Sequence, residues 1–209
     1  MTKFDRRKFL AAAPTLALSA PVLAGTIATT PKQIEGPFYP DELPLDQDND
    51  LICEDATGLK TQGQILHMYG AVFNENAKPL SAVVVEIWQA DNYGIYIHTE
   101  TPNREDRDPY FQGFGRCMTD KHGRFMFRTV MPGLYEGRTQ HVHLKVKQES
   151  EEVLVTQLYF AGHHGNKDDG VFNMLSAAEK ERLTLYPIPF DTPYGTAYEA
   201  HFPVVIPAS

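Results

Sequence analysis

The chain has 209 residues, 42% of them hydrophobic and 22% charged, the ordinary balance of one globular domain with a sizeable core rather than two. Its formal charge of −8 argues against a nucleic-acid partner, because phosphate contacts need clustered cations. Glycine and proline, 15 of each, punctuate it too often for a helical bundle and point to strands joined by turns.

Residues 1–24 read as a targeting segment. Asp5-Arg6-Arg7-Lys8-Phe9-Leu10 leads into an apolar run from Ala11 to Ala24 that closes on Val22-Leu23-Ala24. That is a charged region, a short apolar region and a small-residue cleavage site, with the twin arginine of a Tat-type signal. The run is broken by Pro14 and Pro21 and falls short of the roughly 20 residues a membrane span needs. The expectation is export by the Tat route to the periplasm or beyond, with no membrane association once the signal is cleaved. Cleavage would take the charge to about −11.

Residues 25–64, rich in proline and acid, read as an extended N-terminal arm laid over a core. Asp46, Asp48 and Asp50 alternate there but lack the glycine and terminal glutamate of a calcium loop; a solvated acidic loop is the plainer reading. Cys53 and Cys117 are the only cysteines. An oxidising compartment would allow them to pair, yet Cys117 falls in a predicted strand, where a thiol behaves as a small hydrophobe, and separate thiols are expected.

From residue 65 to 209 the pattern is that of strands. Ile65 to Phe73, the turn Asn74 to Pro79, and Ala82 to Trp88 read as strand, turn, strand. Gly113 to Thr119, the turn Asp120-Lys121-His122-Gly123, and Arg124 to Thr129 read as a second hairpin. Gln140 to Lys147 and Val153 to Phe160 form a third pair, and a serine-capped helix is predicted near Ser176 to Leu183. The sum is an all-β fold: a β-sandwich with long connecting loops and at most short helices.

His141-Val142-His143 carries the chemistry. Residues i and i+2 of a strand leave the same face, so both imidazoles can reach one ion; alternatively they are two polar residues on a half-exposed face beside Lys145 and Lys147. Pro132-Gly133-Leu134-Tyr135 delivers a tyrosine six residues before His141, and the segment from Trp88 to Tyr96 delivers another. Two phenols and two imidazoles favour a hard trivalent metal over thiolate-seeking ions. Taken singly, such tyrosines pack at a core or rim, and Arg138 is a surface charge.

The sequence resembles the intradiol ring-cleavage dioxygenases, the non-haem iron(III) family of protocatechuate and catechol dioxygenases. The likeness runs from about Glu35 to Phe160. It is densest in Val85 to Tyr96, in Gly113 to Asp120, in Pro132 to His143 and in Leu154 to Phe160. It implies an Fe(3+) centre held by Tyr96, Tyr135, His141 and His143, with Tyr135 the tyrosinate that leaves when substrate chelates. It further implies Arg138 beside the substrate ring and Gln157 near the metal. The implied partners are a small catechol and O2, and the implied product is a muconate-type diacid. Family members associate, so a homo-oligomer is compatible with the likeness, though nothing in this chain specifies one. Two departures stand out: only Glu136 and Gly137 separate Tyr135 from Arg138, where protocatechuate enzymes carry a longer segment, and Thr139 stands where proline is usual. Tyr39 and Tyr93 either line the mouth or simply pack. His163-His164 and Asp168-Asp169 read as a loop. The competing reading is an exported, non-catalytic β-sandwich with or without a bound metal.

Overall fold

The computed structural model describes residues 26–54, 56, 58 and 60–208; the expected signal segment lies outside the described residues. Strands β1 (Ile65–Asn74), β2 (Val84–Trp88), β3 (Phe114–Met118), β4 (Arg124–Val130), β5 (His141–Gln148) and β6 (Glu151–Phe160) are followed by two short helices. These are α1 (Gly170–Asn173) and α2 (Ala177–Leu183), after which come β7 (Thr184–Leu185), β8 (Ile188–Thr192) and β9 (Gly195–Ile206). One sheet has the order β4-β1-β9-β8 and the other β3-β2-β5-β6-β7. The all-β sandwich expected from the turn pattern is the architecture observed.

Two expected hairpins are corrected. β1 pairs with β4 and β9, whereas β2 pairs with β3 and β5. The turns at Asn74 to Pro79 and Asp120 to Gly123 therefore carry the chain from one sheet to the other. Asp120 builds its turn locally, its carboxylate accepting from the N–H groups of His122 (2.8 Å) and Arg124 (2.9 Å). Such chemistry reverses the chain but does not choose the ladder it enters. The third pair, β5 with β6, is antiparallel as expected. Helix α2 begins at Ser176 with a reciprocal capping box to Glu179, which satisfies two amide donors at the helix start.

The core lies between the sheets. Leu66, Met68 and Val72 of β1, Phe125 and Phe127 of β4, and Phe202 and Val204 of β9 face Val85 and Ile87 of β2 and Val142, Leu144 and Val146 of β5. Burying each such side chain contributes roughly 1.5–3 kcal/mol. Period-two alternation then turns His141, His143 and Lys145 to the opposite face of β5. That face is covered as well: these three residues are only 2%, 2% and 5% exposed.

The cover is the arm. Gln33 N–H donates to the Val155 carbonyl (2.9 Å), Thr30 N–H to the Val205 carbonyl (2.8 Å), and the Gln157 amide to the Ile34 carbonyl (3.0 Å). Lys145 binds Glu35 of the arm at 2.5 Å and Glu152 at 3.1 Å, while its ammonium sits 3.9 Å from the centre of the Tyr39 ring. Of the two lysines that suggested a half-exposed face, Lys145 instead clamps the arm onto it and Lys147 pairs with Glu86 of β2 at 2.8 Å. Beneath the arm, Trp88, Ala90, Tyr96, Phe114 and Val155 form a second apolar cluster with Phe38, Tyr39 and Tyr135 against it. Among the described residues no helix is long and apolar enough to cross a membrane.

Candidate metal centre

Two loops bring the tyrosines in. Asp91, wholly buried, folds the first: its carboxylate accepts from the N–H groups of Tyr93 (2.8 Å), Ile95 (2.9 Å) and Asp108 (2.7 Å). Asp91 also accepts through its carbonyl from Gly133 N–H (2.7 Å), which ties that loop to the one bearing Tyr135. The two loops touch through glycines. A Cβ on Gly94, which has φ +86°, would collide with the Leu134 carbonyl, and a Cβ on Gly133 would lie 2.6 Å from the Asn92 carbonyl oxygen. Past Gly133 the chain reverses over Glu136 (φ 42°) and Gly137 (φ 73°), and Arg138 N–H returns to the Tyr135 carbonyl at 2.8 Å. Successive positive φ values in a two-residue turn make a tight reversal.

The four side chains meet. The Tyr96 hydroxyl lies 3.2 Å from His141 Nε2 and 3.2 Å from His143 Nε2. The Tyr135 ring stands edge-on to Tyr96 at 5.2 Å and is 5.8 Å from the His141 ring. Trp88 stacks on His143 at 4.7 Å, and Phe38 of the arm covers Tyr96 at 5.1 Å. His141 Nδ1 lies 2.7 Å from the Thr139 carbonyl, which places the ring proton on Nδ1 and leaves the Nε2 lone pair aimed inward.

Electrostatics suit a cation here. Burial, helped by Arg138, pulls the His141 imidazole down to about 4, and burial with His141 holds His143 well below its ordinary value. Both directions favour the neutral rings at physiological pH, the form that can donate to a metal. Burial raises both phenols, Tyr96 steeply; the Arg138 guanidinium opposes the rise at Tyr135. Only a high local positive charge would make both phenolates favourable at neutral pH. Among the described residues no three His, Cys, Asp or Glu side chains form a metal-holding group, so any ion at this spot depends on the tyrosines. Two neutral imidazoles and two phenols on one point fit hard ferric iron.

Arg138 and Gln157 sit beside the cluster. The guanidinium donates from Nε to Asp169 Oδ2 (2.9 Å) and from one terminal nitrogen to Gln157 Oε1 (2.6 Å). Burial opposes the Asp169 charge, but hydrogen bonds from Phe172 N–H, Thr139 N–H and Arg138 outweigh it and hold the carboxyl below its usual range. Asp169 was not legible as part of this site: in sequence it is an acidic residue before a short helix, and it does cap α1 by accepting from Phe172 N–H at 2.8 Å. His163 and His164 belong to a short turn whose Asn166 and His163 contact Thr139. Tyr93 lines the cavity over the cluster; Tyr39 lies behind it, its hydroxyl donating to Glu86 at 3.1 Å. Cys53 and Cys117 are both thiols, and burial raises Cys117 to about 12.

Known proteins carry the same arrangement of sequence. A family profile described as dioxygenase matches residues 34–188. The beta chain of protocatechuate 3,4-dioxygenase from Burkholderia cepacia is 34% identical over 144 residues, taking in 65% of this chain and 61% of its own length. The chain belongs to the intradiol dioxygenase family. A second member, catechol 1,2-dioxygenase 2 of Acinetobacter lwoffii, is 32% identical over 165 residues, 77% of this chain and 51% of its own. The chain thus spans between half and two thirds of these two curated relatives. Among solved structures, the dioxygenase domain of a dioxygenase and carbohydrate-binding fusion from Streptomyces sp. SirexAA-E is 32% identical. It superposes with a TM-score of 0.66 over 87% of this chain and 100% of that domain.

Proposed function

We propose that this intradiol family member is a non-haem iron(III) dioxygenase that inserts both atoms of O2 into a catecholic aromatic of the protocatechuate or catechol type, opening the ring to a cis,cis-muconate-type diacid. The observation that supports it is the approach of two imidazole Nε2 atoms to one phenol, 3.2 Å each, with a second phenol at its edge. When bound, ferric iron supplies the Lewis acidity that acidifies both diol hydroxyls and readies the ring for O2.

The remaining work falls to the chain. His141, His143 and Tyr96 form the buried side of the site; both phenols line the open cavity, but Tyr96 is 1% exposed and Tyr135 is only half-buried. Tyr135 is therefore the phenol placed to give way to substrate and accept one diol proton on its Oη. Arg138, beside that phenol, stabilises negative charge that develops on the substrate. Gln157 holds the guanidinium in place. Phe38 and Trp88 keep bulk water from the ligands, which strengthens each of these charge interactions. Catalysis in this reading needs a catechol and O2 and no nucleic acid. We further propose export through the twin-arginine segment, which replacing Arg6 and Arg7 by lysine should block.

Purification, metal analysis, a visible spectrum and oxygen uptake with catechols test the reading together. Stoichiometric iron, a red-brown phenolate band and one O2 consumed per catechol are expected. A colourless protein whose iron-reconstituted form consumes no O2 with any catechol overturns it.

A further inference from the structure

The cavity above the cluster is about 550 Å3, more than one six-membered ring fills, and its wall is acidic. Asp106, at the end of the short helical turn Arg104–Asp106, lines it together with Asn103, and Glu136 of the Tyr135 to Arg138 reversal lines it from a separate loop. No lysine, arginine or histidine is among the lining side chains. Of the neighbouring cations, Arg107 donates to the Phe111 carbonyl at 2.6 Å and Arg138 is held by Asp169 at 2.9 Å, while Arg104, exposed in the same turn as Asp106, does not line the cavity. The chain as a whole carries −8, so the field around the mouth also repels anions.

We propose that Asp106 and Glu136 are specificity-determining residues that make this site select catechols bearing an uncharged or cationic substituent and reject carboxylated ones such as protocatechuate. The proposal rests on the catechol-cleaving reading above and narrows it. The ring diol must reach the four-residue cluster, so a para substituent projects outward past Tyr135 into the wider cavity. A carboxylate there approaches two carboxylates with no cation among the lining side chains, whereas an ammonium is attracted and a methyl group is indifferent. Because both acids are exposed, solvent and salt screen the effect, and each is expected to change the preference by roughly two- to tenfold.

The test compares kcat/KM for methylcatechol, dopamine and protocatechuate on the iron-loaded enzyme, with anaerobic binding of the three measured by calorimetry as a second readout. Methylcatechol and dopamine should exceed protocatechuate at least tenfold in both. The gap should narrow on going from low to high salt, and in the Asp106→Asn, Glu136→Gln double variant it should narrow threefold or more. Protocatechuate handled as well as methylcatechol overturns the charge argument, as does a gap that neither salt nor the double variant moves. If the variant fails to fold, the salt series on the unaltered enzyme decides. Failure of all three compounds to bind or turn over would instead overturn the proposed function.

Discussion

The Arg138 guanidinium and the Asp169 carboxylate meet at 2.9 Å across 31 residues of sequence, with the carboxylate wholly buried. Asp169 also accepts from Thr139 N–H at 2.8 Å, so one anion fixes both the guanidinium and the start of the strand that carries His141 and His143. Breaking a buried pair by removing one charge costs about 3–5 kcal/mol. Asp169→Asn should lower the melting temperature clearly and cut kcat by about tenfold or more, because a wandering Arg138 no longer meets the developing charge. The sign with pH follows from the direction of the shift. The folded carboxyl is held below its unfolded value of about 3.9, so its stabilisation is complete above that pH and fades as pH falls through the depressed folded value. An Asp169→Asn variant that melts at the same temperature as the unaltered protein well above the unfolded value, at roughly pH 5 to 7, would show that the pair contributes nothing.

Tyr135 and Tyr96 differ in position, and that difference assigns their roles. Both line the cavity, but Tyr96 is 1% exposed and touches both imidazoles, while Tyr135 is half-buried. In Tyr135→Phe the three buried donors remain, so iron should stay bound, but the phenolate charge-transfer band should weaken. Turnover should fall about 10²-fold with loss of the internal base. Tyr96→Phe should instead lose iron. Absorbance and iron content measured on both variants check the distinction, and equal behaviour would undo it.

Metal binding should report directly on the imidazoles. His141→Ala removes a donor whose Nδ1 is held 2.7 Å from the Thr139 carbonyl, and iron affinity is expected to fall by at least about tenfold. Stripping iron from the unaltered protein should lower its melting temperature, since a ligand present at 100 times its Kd stabilises by about 2.7 kcal/mol. Re-addition of Fe(3+) should restore both temperature and colour, and zinc should not restore the colour. Full iron content in His141→Ala would remove that residue from the proposed shell.

Much of this site was legible because it is local. Alternation along His141 to Val146 places both imidazoles on one face without any knowledge of the rest of the fold, and the turn signals that end at Tyr96 and Tyr135 lie within a few residues of each. Features set by long-range pairing were not legible. Leu66 pairs with Tyr198, and no turn residue between β1 and β2 encodes that choice; hence two expected hairpins proved to be crossings between sheets. The same holds for the burial of the histidine face, which is produced by arm residues some hundred positions upstream in the chain, and for Asp169, whose partner lies across a loop. Lys145 pointed the wrong way in sequence because a lysine usually marks solvent, whereas here Glu35 and Glu152 neutralise it under cover.

Thr139 is the departure from the family pattern that the structure explains. Its N–H donates to Asp169, a bond that proline cannot make, and its carbonyl faces His141 Nδ1. Its hydroxyl donates to Asn166 Oδ1 at 2.7 Å and lies 2.9 Å from His163 Nδ1, binding the strand start to the turn that precedes α1. Thr139→Val keeps the shape and the backbone bonds but leaves a part-buried acceptor on Asn166 without its donor, at a cost of about 1 kcal/mol. A melting temperature lower by roughly 2–4 °C is expected. Because the carbonyl that orients His141 shares this residue, the phenolate band and kcat should shift with it, and Thr139→Ser, which restores the hydroxyl, should recover both. A valine variant as stable and as active as the parent would mean that the hydroxyl is incidental and that Asp169 alone positions the strand.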